Sequence, residues 1–222
     1  MFNGGQTVLV VGAHPDDEVL GAGGAIAKHA DAGDEVHTLI VTEGTTAQYD
    51  DKSLIEQKRA DARACADALG VRKTHFGDLP DMRLDDVAHT EVNNVIEEVC
   101  AEVKPDIVYT HSRREVNRDH VAVHDSTLVS TRPGSGVEMV LAYETPSSTE
   151  YAPETTGFEP TLFVDIAHYL DTKVQAFGCY DTEVREFPHP RSAKALRALA
   201  RKHGTASDSE AAEAFDVLRM YA

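Results

Sequence analysis

Three short runs rich in β-branched residues constrain this chain most: residues 7–13 (TVLVVGA), 35–42 (EVHTLIVT) and 106–110 (DIVYT). Such runs suit strands buried on both faces. Between and after them, residues 19–32, 54–69, 91–103 and 119–131 read as helices, with Gly33, Gly70, Pro105 and Pro133 as stop signals. Further strands are predicted over 72–76, 137–144 and 161–166, and the rest reads as largely helical. Strands alternating with helices imply an α/β fold, a Rossmann-like three-layer sandwich with a mostly parallel sheet and helices on both faces. In such sheets ligands lie beyond the carboxyl ends of the strands. No linker, repeat or low-complexity tract interrupts the 222 residues, so a single domain over 1–222 is expected.

Charge narrows the partners. With 38 acidic against 21 basic side chains, the formal net charge is −17, and no basic run exists to meet phosphates. That argues against nucleic acid and anionic membrane as ligands. A salt-adapted surface and ordinary solubility both fit so acidic a chain. No apolar run approaches the roughly 18 residues of a membrane span, and the start, MFNGGQTVLVV, lacks the basic region of a signal peptide. Cys65, Cys100 and Cys179 are odd in number and far apart. They suit neither a disulfide framework nor a thiolate cluster. They fall in helical patterns and read as packing, and a cytoplasmic protein is expected.

The first strand runs into His14-Pro15-Asp16-Asp17-Glu18, where this fold places its chemistry. Imidazole and carboxylate together suit Zn²⁺, and a three-residue step brings His14 and Asp17 to one side of the helix start. Asp16 is then free to act as a base. Three acids could instead only cap the helix and answer its dipole, but a cap does not need His14. Gly12, Gly21, Gly23 and Gly24 invite a dinucleotide reading. The strand-to-helix turn, however, holds carboxylates that would repel a pyrophosphate, and close packing accounts for the later glycines. The strand at 106–110 leads to His111 and then to Asp119-His120, a second junction on the same sheet edge. His120 and His124 share a helical face and could themselves form a metal pair. Two His, one carboxylate and an open position describe a catalytic zinc site. Ser112 and Ser126 lie near histidines, but no G-x-S-x-G elbow supports serine catalysis.

AHPDDEVLGAGG (13–24) and NRDH (117–120) resemble the PIG-L/LmbE-like family of zinc-dependent N-deacetylases. KRADARACADALGV (58–71), GDLPDMRLD (77–85), PDIVYTH (105–111) and YDTEVREFPHPRS (180–192) extend the likeness. The resemblance implies one Zn²⁺ per chain held by His14, Asp17 and His120, with Asp16 as general base and Asp119 orienting its neighbours. Glu18 and His124 would support the site from behind, and Arg59 and Tyr180 would meet the sugar. The implied substrate is an N-acetylated sugar or glycoconjugate that releases acetate. An amidase acting on a thiol-glycoside, or a metal-containing protein without catalysis, are the alternatives. Members are often trimers or hexamers, so a homo-oligomer is expected. One position departs: Asn117 stands where many members carry His, so the amide, His111 or His189 would have to serve the scissile group, or activity would be altered. Arg185, His189 and Arg191 gather in one loop, either as a rim for an anionic part of the substrate or as surface ion pairs. Asp78, Asp81 and Arg83 form a similar polar loop.

Overall fold

The strands β1 (Thr7–Gly12), β2 (Glu35–Thr42) and β4 (Ile107–His111) arise from the β-branched runs, and their side chains are almost wholly buried. In this computed structural model, which describes residues 1–45, 53–152 and 157–221, they form the centre of a single sheet. The outer strands are β3 (Lys73–Leu79), β5 (Met139–Tyr143), β6 (Leu162–Asp165) and β7 (Ala212–Met220). The order is β3-β2-β1-β4-β5-β7-β6, parallel from β3 through β5, with β7 antiparallel to both β5 and β6.

Helices cover both faces. α1 (Asp17–Asp31), α2 (Ser53–Leu69), α5 (Leu170–Phe177) and α6 (Ala193–Ala206) pack on one side, α3 (His89–Val103) and α4 (Arg118–Ser130) on the other. Each side has its own apolar layer. Val8, Val10, Leu20 and Ile26 belong to the first, and Leu9, Val11, Ile96 and Val123 to the second. Alternate residues of β1 therefore feed opposite layers, as a period of two requires. Each such side chain contributes about 1.5–3 kcal/mol when fully buried. The α/β sandwich is thus as expected from the alternation of strands and helices.

Two details differ from the expectation. The segment 212–220, AEAFDVLRM, favours helix locally, yet it forms β7. Pairing on both edges decides the matter, and Glu213 there is buried against the Lys173 ammonium and the backbone N–H groups of Gly24 and Ala25. Cys179 lies in the turn after α5 and is half-buried, while Cys65 and Cys100 are helical as read. Close packing does explain the helical glycines: a Cβ at Gly21 would stand 2.1 Å from the Tyr143 ring. Among the described residues no helix is long and apolar enough to cross a membrane.

Strand order reverses between β1 and β4, so the loops after Gly12 and His111 diverge from a shared crevice.

Candidate active site

β1 ends at Gly12, and the chain turns through His14–Asp16 into α1. Asp16 takes a φ of 116°, which a side-chain-bearing residue adopts only at a cost of about 1–3 kcal/mol. No side-chain cap closes this helix start. The strained turn instead presents His14 and Asp17 to α4, whose first turn carries His120.

Three ligand atoms converge. His14 Nδ1 lies 3.2 Å from His120 Nε2, and Asp17 Oδ2 lies 3.3 Å from the first and 3.4 Å from the second. Adjacent ligands of a tetrahedral ion with bonds of about 2.0–2.1 Å stand about 3.3 Å apart. The far side of each ring is held by a carboxylate. His14 Nε2 is 3.2 Å from Asp119 Oδ2, and His120 Nδ1 is 2.9 Å from Glu115 Oε2. With each outer nitrogen donating outward, the inner nitrogens are the ones whose lone pairs would take a cation in exchange for a proton. Asp17 Oδ1 is buried without a hydrogen-bond partner. Two converging imidazole nitrogens and an unpaired carboxylate oxygen are the donor set of a cation site, and the residues fit a metal ion. His111, Glu115 and His120 form a second such group. There the Nδ1 of His120 serves Glu115, which favours the first group as the ligand set.

Electrostatics follow the same geometry. Burial opposes charge on His14, yet hydrogen bonds to Asp119 and Asp17, with the charges of Asp17 and Asp81, raise its pKa to about 10. Burial likewise opposes charge on Asp17, and the neighbouring His120 and His111 hold its carboxyl well below the usual range. Burial pushes Asp16 well above the usual range, with Arg191 pulling the other way.

Around this group lies a small pocket lined by His14, Asp16, Lys58, Asp81, Asn117 and Arg191. The Asn117 oxygen caps α4 by accepting from Asp119 N–H at 2.9 Å, and its Nδ2 lies 3.6 Å from the Met82 sulfur. His111 does not fill the role of the missing imidazole. Its Nε2 accepts from Ala13 N–H at 2.9 Å, its ring stacks on His120 with centroids 4.0 Å apart, and burial lowers its pKa to about 4. His189 is exposed on its loop and accepts from the Arg191 N–H.

The supporting residues separate into those at the pocket and those behind it. Glu18 accepts from Asp16 N–H at 3.2 Å and from the Tyr180 hydroxyl, and burial raises its pKa to about 7. Tyr180, expected at the substrate, is wholly buried with its hydroxyl spent on Glu18, so it braces the turn instead. His124 donates from Nδ1 to the His111 carbonyl at 2.7 Å, which ties it to β4 and away from any metal pair with His120. Arg59, also expected at the sugar, points outward to Glu56 and Asp78 over the Phe76 ring. The neighbouring Lys58 lines the pocket in its place. The signal was in the periodicity: Lys58, Ala62, Cys65, Ala66 and Leu69 form the buried stripe of α2, and Arg59 lies off it. Arg185 bonds carbonyls of its own loop, at Thr182 and Val184, and stays exposed. Nothing local in the sequence marks Glu115, because its role depends on a loop closing back on His120.

Residues 9–130 match the family described as PIG-L: GlcNAc-PI de-N-acetylase. A 4-oxalmesaconate hydratase of Pseudomonas putida is 29% identical over 192 residues, covering 78% of this chain and 72% of that protein. A diacetylchitobiose deacetylase of Thermococcus kodakarensis is 26% identical over 223 residues, covering 96% of this chain and 83% of that protein. In fold, the conserved protein TT1542 from Thermus thermophilus superposes with a TM-score of 0.78 at 20% identity, covering 98% of this chain and 97% of that one.

Proposed function

The chain belongs to the PIG-L family, and from that premise we propose that it is a metal-dependent hydrolase that removes the N-acetyl group from an N-acetylglucosamine-type sugar or glycoconjugate. The observation that carries this reading is the triangle of His14 Nδ1, Asp17 Oδ2 and His120 Nε2, with Asp16 lining the pocket that His14 opens onto. His14, Asp17 and His120 would hold the ion, Zn²⁺ by its suitability to two imidazoles and a carboxylate. When bound, the ion supplies Lewis acidity that makes a water nucleophilic near neutral pH and polarises the acyl carbonyl.

The chain's own residues supply the rest. Asp16 accepts the proton of the attacking water on its carboxylate, a form of assistance that contributes about 10²–10⁴-fold. The Asn117 amide N–H donates toward the developing oxyanion, since its oxygen is already committed to the helix cap. Asp16 then returns its proton to the departing amine as the C–N bond breaks, giving acetate and a free amino sugar. Glu18 and Tyr180 hold the turn that carries Asp16 and Asp17, while Asp119 and Glu115 keep the two imidazoles in register.

The test is acetate release from N-acetylglucosamine and N,N′-diacetylchitobiose by zinc-loaded protein, before and after chelation. Activity that disappears with chelator and returns with zinc is expected. Metal-independent release overturns the reading. The same base could add water to a carbon–carbon double bond, as the name of the Pseudomonas relative implies for that protein. The 29% identity to that protein over 78% of this chain is the observation behind this second reading. Hydration of 4-oxalmesaconate with no acetate release from either sugar would establish it.

A further inference from the structure

Arg191 lies beyond the residues matched to the family, 175 positions from Asp16, yet its guanidinium enters the same pocket. Nη1 donates to Asp16 Oδ2 at 2.9 Å and to Glu183 Oε2 at 2.8 Å, and Nε donates to Ser147 Oγ at 2.8 Å. Lys58 grips the other oxygen of Glu183 and donates to Thr182 Oγ1 at 2.6 Å. A chain of contacts therefore runs from α2 through Lys58, Glu183 and Arg191 to Asp16.

The backbone of Arg191 is equally constrained. Its carbonyl accepts from Arg185 N–H at 3.2 Å, its N–H donates to His189 Nδ1 at 3.1 Å, and the next residue, Ser192, caps α6. Asp16, by contrast, has a strained backbone and no cap of its own. Among the described residues, the hydrogen bond to its carboxylate comes from Arg191. A surface ion pair contributes little because water competes with it. This pair is different: the Asp16 side chain is 2% exposed and that of Arg191 24%.

We propose that Arg191 is a positioning residue that aims the Asp16 carboxylate into the pocket, with Glu183 and Lys58 fixing the guanidinium from behind. The inference rests on the reading of Asp16 as the base. It differs from the idea of a rim for an anionic substrate group, because Nη1 and Nε of Arg191 are directed to Asp16, Glu183 and Ser147 within the protein. A planar fork held at both ends gives direction as well as charge, which an ammonium cannot reproduce.

The experiment uses zinc-loaded protein with N,N′-diacetylchitobiose as probe and four variants: Arg191→Met, Arg191→Lys, Asp16→Asn, and Asp16→Asn with Arg191→Met. Arg191→Met should lose about 100-fold in kcat with KM little changed, the size expected of a misplaced catalytic group. Arg191→Lys should recover about tenfold of that loss, by restoring charge without the fork. The double variant should be no slower than Asp16→Asn alone, since both changes remove one function. Wild-type kcat in Arg191→Met, or losses that multiply in the double variant, overturn the inference. A fully active Asp16→Asn removes the base assignment itself, whereas an inert Asp16→Asn beside a fully active Arg191→Met removes only the role of Arg191. A crystal structure of Arg191→Met supplies an arm independent of turnover. The Asp16 carboxylate should leave its place in the pocket, and an unmoved carboxylate overturns the proposal.

Discussion

Two histidine–carboxylate clusters flank α1, one at each end, and they are built on opposite rules. At the C-terminal end of the helix, His29 Nδ1 meets Asp34 Oδ2 at 2.6 Å and its Nε2 meets the Tyr109 hydroxyl at 2.9 Å. Asp34 Oδ1 in turn accepts from Gln6 N–H at 3.0 Å. Both ring nitrogens of His29, both oxygens of Asp34 and the Tyr109 hydroxyl have partners, so these three side chains behave as a satisfied piece of core. At the N-terminal end, His14 and His120 turn ring nitrogens toward each other, Asp17 leaves one buried oxygen unpaired, and Asp16 sits in a strained backbone. Residue type does not separate the two. Satisfaction does: a polar cluster that completes its own hydrogen bonds holds the fold together, and one that leaves them open is waiting for a ligand.

Replacing Asp16 breaks the comparison most sharply. Asp16→Asn should lose about 10²–10⁴-fold in kcat, keep its metal, and melt no lower than the parent. Asn tolerates positive φ as well as Asp, its side-chain oxygen can still accept from Arg191, and removing a charge that burial disfavours offsets the weaker pair. Acetate release, metal content and a thermal melt on one sample check all three. A variant that keeps full turnover would show that the open cluster does no proton transfer.

The reverse outcome is expected at the satisfied cluster. Asp34→Ala should lower stability by about 2 kcal/mol by leaving buried donors unpaired, with zinc-dependent turnover unchanged. Urea unfolding alongside the acetate assay reads both. A large loss of turnover at unchanged stability would erase the distinction between the clusters.

Glu115 sharpens the comparison from inside the site, because it is the satisfied outer partner of an open ligand. Glu115→Gln should weaken metal binding by about 10- to 100-fold, the usual cost of losing such a carboxylate. Competition against a chelating dye measures it without turnover. Unchanged affinity would mean that Ser148 and Thr149, which also hold Glu115, fix the loop and not the imidazole.

How much of this was legible in the sequence follows from how far apart the partners are. His14, Asp16 and Asp17 share one turn, and the β-branched run before them fixes where that turn must lie. A local pattern therefore located them. His120 needed only the rule that strand ends on one sheet edge converge. Lys58 and Arg59 differ by one position, which on a helix is a rotation of about 100°. A motif places the pair, but only the buried stripe of α2 decides which one faces the pocket. Glu115 and Arg191 act through loop closures, and no periodicity records those. The strand β7 was hidden for a related reason. Its alanines and glutamates favour helix, and the pairing that overrides them is supplied by strands about fifty and seventy residues earlier.

The smallest effect is a difference in pH dependence. Burial lowers the pKa of His29 below 6.5, against the opposing pull of Asp34. When pH falls through 6.5, the unfolded chain takes up a proton at this position before the folded one does. The unfolded state then binds more protons, so the stability contributed by neutral His29 is full above 6.5 and is lost as pH falls toward the folded-state value. His75 and His124 are lowered in the same direction, again by burial first, while His120 and Glu18 are raised and act the opposite way. Substituting His29→Gln removes the contribution of His29 alone. Taking the difference between variant and parent cancels the rest, including the opposite contribution of His14, whose raised pKa favours the folded state at low pH. The variant should be less stable than the parent at pH 7.5, and the gap should narrow at pH 5.5. A gap that widens on acidification would mean that His29 is charged in the folded protein, bound to Asp34 as an ion pair, and that the quiet end of α1 depends on charge and not on neutral hydrogen bonds.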